Sequence, residues 1–118
     1  MNQMDNLTHF LNSGETVEEA ASVLKAMANE SRLLLLCNLS VSGELSVGQL
    51  VERIGLSQSA LSQHLAKLRE ERLVATRKDA QTVYYRLCDG KVEQLLALLH
   101  DLYCPDLGNH DHDQSPRS

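Results

Sequence analysis

Three thiols, five histidines and one amide-rich helix face are the chemically capable groups of this 118-residue chain. Cys37 ends the run Leu33-Leu34-Leu35-Leu36-Cys37, Cys88 follows an apparent strand, and Cys104 closes the last apolar-periodic stretch beside a polar tail. The thiolate is the reactive form, and sensing thiols usually work as an attacking and a resolving pair. Cys104, at a helix end, is expected to be accessible. Cys37, among leucines, is expected to be less so, with burial raising its pKa. The plain alternative makes Cys37 a small core residue, as buried cysteines usually are, and Cys88 reads as a bystander. His110-Asp111-His112-Asp113 has donors for zinc or nickel, alone or with Cys104 or His100, although such tails are more often solvated. There is no glycine-rich phosphate loop. The nearest nucleophile–base pair, Ser62 and His64, lies two residues apart and so faces two sides of a helix. Neither an enzyme nor a cofactor is expected.

The amide-rich face sits inside a stretch with almost no spare residues, Leu45 to Leu87. Ser46-x-x-Gln49 is a capping-box pattern, and Val47, Leu50, Val51 and Ile54 give the helix it opens one apolar face. Gly55 is placed to stop that helix and Ser57 to cap the next. The second helix puts Leu61, Leu65 and Leu68 on one side and Gln58, Ser59, Ser62, Gln63, Lys67 and Arg69 on the other. Two helices joined by about three residues with a glycine make a helix-turn-helix. The exposed side chains of the second are of the kind that reach base edges in a major groove. A ribbon follows, Leu73 to Lys78 and Gln81 to Leu87 around Asp79-Ala80. Arg77 and Lys78 lie by its tip, where a wing meets phosphate or minor groove. An ordinary three-helix domain with a solvated hairpin explains each residue singly, but not the ordered set.

The chain carries a net charge of −5, yet residues 46–87 sum to +3 and the remainder to −8. A basic module in an acidic chain can bind duplex with one face, weakly and with strong salt dependence. Three cysteines with no CxxC do not resemble a secreted disulfide framework. Met1 to Ser13 lacks the features of a signal peptide, and no apolar run reaches the ~18 residues of a membrane span, so a cytoplasmic protein is expected.

The remaining segments support that module. Residues 1–15 read as a flexible arm with at most a helical turn around Leu7 to Leu11, and 16–104 as the DNA-binding and dimerisation domain. Thr16-x-x-Glu19 is a second capping-box pattern, predicting a helix from Val17 to about Met27. Asn29 caps a helix whose leucines run nearly all round it, so it is expected to be central and buried. Asp89 and Gly90 start a last helix with more apolar surface than a terminal helix needs. A second copy would cover it, presenting two reading helices to a palindromic site. Residues 105–118 read as a disordered tail.

The order helix, helix, helix-turn-helix, wing, helix resembles the ArsR/SmtB family of bacterial repressors over roughly residues 16–104. The carriers are Leu24-Lys25-Ala26-Met27-Ala28-Asn29-Glu30-Ser31-Arg32-Leu33, Leu56-Ser57-Gln58-Ser59-Ala60-Leu61-Ser62-Gln63-His64-Leu65 and Tyr84-Tyr85-Arg86-Leu87. The resemblance implies a mainly α, dimeric winged helix-turn-helix that leaves operator DNA when an inducer binds. It adds His64 to Gln58, Ser59, Ser62 and Gln63 as a groove contact, with partly buried packing as the alternative for His64. The family's metal sites are not matched. Its Glu-Leu-Cys-Val-Cys-Asp-Leu pattern appears as Glu44-Leu45-Ser46-Val47-Gly48-Gln49-Leu50, and Lys91, Leu102 and Pro105 hold the ligand positions of its last-helix zinc pattern. Cys37 and Cys104 instead resemble the dithiol branch containing BigR, SqrR and HlyU. That implies sensing of reactive sulfur or oxidants through a disulfide or polysulfide link, in a repressor or an anti-repressor. A zinc- or nickel-responsive repressor and a protein-binding winged helix are the alternatives.

Overall fold

The computed structural model describes residues 3–88 and 90–104. Helices α1 (Gln3–Leu11), α2 (Gly14–Met27) and α3 (Glu30–Ser42) lead into strand β1 (Leu45–Ser46), followed by α4 (Val47–Ile54) and α5 (Gln58–Glu70). Strands β2 (Val74–Asp79) and β3 (Thr82–Leu87) then form the ribbon, and α6 (Gly90–Tyr103) ends the described chain. The strands make one antiparallel sheet in the order β1-β3-β2, with Leu45 opposite Tyr85 and Thr76 opposite Tyr85 from the other side. This is the expected mainly helical winged helix-turn-helix, with one strand more. β1 has only two residues, too few for any period-2 pattern to show.

Local chemistry sets the boundaries of the helix-turn-helix. The Ser46 hydroxyl accepts from the Gln49 amide at 3.2 Å, and the Gln49 side chain accepts from the Ser46 amide at 2.8 Å, which completes the capping box. Gly55 ends α4 with φ +84°, a left-handed conformation that suits glycine. Ser57 caps α5 by accepting from the Ala60 amide at 3.1 Å. The other end of α5 has no glycine. The Leu73 amide reaches back to the Leu68 carbonyl and the Arg72 amide to the Arg69 carbonyl, both at 2.9 Å. That is a Schellman stop with Arg72, at φ +62°, in the left-handed position. Buried Leu68 and Leu73 supply the apolar contact that goes with it. A Cβ in that conformation costs about 1–2 kcal/mol, so Arg72→Gly is expected to stabilise the domain by about 1 kcal/mol, read from urea unfolding midpoints.

The core is built from Leu35, Leu36 and Leu39 of α3, Leu61, Leu65 and Leu68 of α5, Leu50 of α4 and Val92 and Leu96 of α6. Three expectations are corrected. Residues 3–11 are not a flexible arm but helix α1, packed on α2; no helix breaker precedes Asn12-Ser13-Gly14. Helix α2 starts at Gly14 rather than Val17, so Thr16 falls inside it and its capping-box pattern goes unused. Helix α3 is not apolar and buried all round. Leu35, Leu36 and Leu39 recur on the inner side, whereas Leu34, Cys37 and Val41 are exposed on the outer one. The tail from 105 and its expected disorder, with His110 and His112, lie outside the described residues.

Candidate functional site

The helix-turn-helix delivers its polar face as its spacing predicts. Gln58, Ser59, Ser62, Gln63 and Lys67 are exposed along α5 while Leu61, Leu65 and Leu68 of the same helix are buried. His64 differs from them. It is half-buried, and its Nδ1 lies 3.3 Å from Arg32 Nη1 at the start of α3. A guanidinium can only donate, so Nδ1 is the acceptor in this contact. Arg32 is itself held by donating from Nε to the Ala26 carbonyl. This geometry places His64 as a link between α5 and α3.

The ribbon separates its two tip cations. Cross-strand partners share a face, so Arg77 stands with Tyr84, and Lys78 with Val83. Arg77 donates from Nε and Nη2 to the two carboxylate oxygens of Glu44, both at 2.9 Å, and its guanidinium lies over the Tyr84 ring, 4.6 Å from the centroid. The Arg77 hydrogen bonds hold the Glu44 carboxyl below the usual carboxylate range, with Arg86 adding a smaller attraction. Lys78 is exposed on the other face. A third arginine, Arg53 of α4, donates to the Ser42 hydroxyl at 2.7 Å. Arg32, Arg53 and Arg77 thus connect α3 and the residues just past its end to α5, α4 and the wing. No sequence signal marks these pairs, because Arg32–His64 and Glu44–Arg77 span 32 and 33 residues.

The thiols occupy positions other than those expected. Cys37 is exposed on the outer side of α3, whereas Cys104 is half-buried where the α6 spiral ends, its amide donating to the His100 carbonyl at 2.7 Å. The leucine run concealed this, since Cys37 falls one position after the inward-facing Leu36. Residual burial among its neighbours still raises the Cys37 thiol pKa. All three cysteines are free, and α3 packs directly on α6. Among the described residues no three histidine, cysteine or acidic side chains stand together as a metal site, and no helix is long and apolar enough to cross a membrane.

The outer surface of α6 carries apolar side chains among its polar ones. Leu98, Leu102 and Tyr103 are exposed, Tyr103 by 79 %, as are Leu24 of α2 and Leu7 and Leu11 of α1. Between α2 and α6 runs an open groove of about 540 Å³ bordered by Ala20, Val23, Leu24, Leu95 and Leu98.

Residues 29–76 match the family model described as "Bacterial regulatory protein, arsR family". The chain is 59 % identical to the transcriptional activator HlyU of Vibrio cholerae, over 73 % of its own length and 79 % of the relative's. It is 53 % identical to the nodulation protein NolR of Rhizobium meliloti, over 78 % and 75 % of the two chains. The crystal structure of the transcriptional repressor BigR from Xylella fastidiosa superposes with a TM-score of 0.73 at 38 % identity, covering 88 % of this chain and 98 % of that one.

Proposed function

The chain belongs to the ArsR family of bacterial regulatory proteins, and from that premise we propose that it binds operator DNA as a twofold dimer and releases it, or changes its hold, when Cys37 and Cys104 become linked. Membership makes it a DNA-binding transcriptional regulator and not an enzyme. The sign of regulation does not follow from its relatives, since HlyU is an activator by name and BigR a repressor.

The observation that carries the thiol reading is Cys37 facing outward from α3, on a helix packed directly against the one that ends at Cys104. In the proposed reaction the Cys104 thiolate attacks the outer sulfur of a low-molecular-weight persulfide, RSSH. The S–S bond breaks, Cys104 gains one sulfur and RSH leaves. The Cys37 thiolate then attacks the inner sulfur of the Cys104 persulfide and expels hydrosulfide. Two thiols are oxidised, one sulfane sulfur is reduced to sulfide, and a disulfide joins α3 to the end of α6. A second RSSH leaves a longer sulfur bridge, which relaxes the Cα separation limit of about 7 Å on a direct bond. Cys37, exposed on α3, is open to make that second attack once Cys104 carries the added sulfur. The apolar groove between α2 and α6, with the exposed leucines beside it, supplies the dimer surface in this reading.

The test combines intact mass with binding to a labelled duplex from the chain's own promoter. Reduced protein is expected to bind, and glutathione persulfide to add a Cys37–Cys104 crosslink while releasing the duplex. Equal response to peroxide would make the switch a general redox one. Unchanged mass and affinity under both would remove the thiols from the mechanism. In the same assay Gln63→Ala is expected to weaken promoter binding by about 1–3 kcal/mol, the worth of a good base contact; unaltered affinity would take Gln63 out of the reading set.

A further inference from the structure

We infer that the wing divides its two cations between two jobs: Lys78 takes a DNA phosphate, whereas Arg77 is a positioning residue that clamps the wing, through Glu44, to the loop at the end of α3. The inference rests on the DNA-binding reading and assigns roles that sequence proximity gave equally to both residues.

Arg77 is already engaged along one edge and over one face. Its Nε and Nη2 donors, the fork that makes a two-point contact with phosphate, both point at Glu44. The guanidinium face is covered by Tyr84. Its charge is matched by a carboxylate that would repel any phosphate brought to the same guanidinium. Lys78 has the opposite situation. Its side chain is exposed and makes no hydrogen bond or ion pair among the described residues. Its face of the ribbon is also that of Tyr85. Tyr85 borders, with Ser62 and Arg69 of α5, a shallow concavity of about 360 Å³ between reading helix and wing. Lys78 therefore stands on the side of the ribbon that looks toward the reading helix.

The clamp has a mechanical meaning because of where Glu44 sits. Gly43 caps α3 with φ +85°, and Glu44 follows it immediately. Fixing Arg77 to Glu44 fixes the wing to the exit of the helix that carries Cys37.

Four variants of the full-length reduced protein separate the roles: Lys78→Ala, Arg77→Ala, Glu44→Gln and the Glu44→Gln/Arg77→Ala double. Each is titrated by anisotropy with the promoter duplex and with a labelled duplex of unrelated sequence, across a salt series. A phosphate contact acts on both duplexes alike. Lys78→Ala is expected to flatten the log–log salt slope by about 0.9 per wing on each. Arg77→Ala and Glu44→Gln are expected to lower promoter affinity in the same direction, by about two- to fivefold, the reach of an exposed ion pair. Their salt slope should be unchanged, and the double variant no worse than either single. Opposite signs for Glu44→Gln and Arg77→Ala would overturn the assignment, because Glu44 would then be competing with phosphate for Arg77. So would a slope lost on Arg77→Ala, or affinity untouched by both clamp variants. A parent protein that binds neither duplex would overturn the DNA-binding reading along with it.

Discussion

Cys37→Ser protein is expected to stay on its promoter duplex at a persulfide dose that releases the parent. One thiol can still take up sulfur, but it has no partner to bridge to, so α3 and α6 remain unlinked. Allosteric couplings are typically worth about 1–3 kcal/mol, or about 5- to 150-fold in affinity. The parent should lose affinity within that range on treatment, while the variant's ratio of treated to untreated Kd stays near one. Cys104→Ser should behave in the same way, and Cys88→Ser like the parent. Because Cys37 is exposed in the chain, its replacement should leave the unfolding midpoint nearly unchanged, within the ~0.5 kcal/mol usual for surface positions. Loss of response is then attributable to the missing bond rather than to a loosened core. Release of both single variants by the same dose would contradict the linked-thiol mechanism.

Leu36→Ala, next to that cysteine in sequence, should behave quite differently. Leu36 is fully buried in the cluster that joins α3 to the rest of the domain. Truncating such a side chain removes its transfer energy and leaves a cavity, typically at a cost of about 2–5 kcal/mol. Single domains have only about 5–15 kcal/mol in total. The variant should show a urea midpoint far below the parent's and a melting temperature lowered by more than about 10 °C. Leu34→Ala, two residues earlier and 47 % exposed, is the control and should cost well under half as much. Equal losses for the two would mean that the inner and outer sides of α3 had been assigned wrongly.

Much of the reading unit was legible because its signals are local. Ser46 with Gln49, Gly55 and Ser57 each act within four residues, and all are used as their types suggest. The leucines of α5 obey helical spacing and are buried. What escaped the sequence has three physical causes. The α5 stop is made by Arg72, a residue type that gives no turn signal, and is held by the apolar pair Leu68 and Leu73. In α3 a run of four leucines erased the period that would have placed Cys37 outside. The arginine links join residues distant in sequence, and a guanidinium can find a carboxylate, a hydroxyl or an imidazole without any spacing rule.

Those links turn α3 into a lever. Its 13 residues make a rod about 20 Å long, with Cys37 near the middle and ties at each end: Arg32 to the reading helix at one, Ser42 and Glu44 to α4 and the wing at the other. A tilt of only about 5° around the midpoint would move the two ends by about 0.9 Å each, in opposite senses. Reading helix and wing would then be drawn apart in their setting rather than carried along together. In the proposed DNA complex, two elements that must fit neighbouring grooves of one duplex would tolerate such shear far less than a common shift, so a small displacement at a single sulfur would be geometrically amplified where the DNA is gripped.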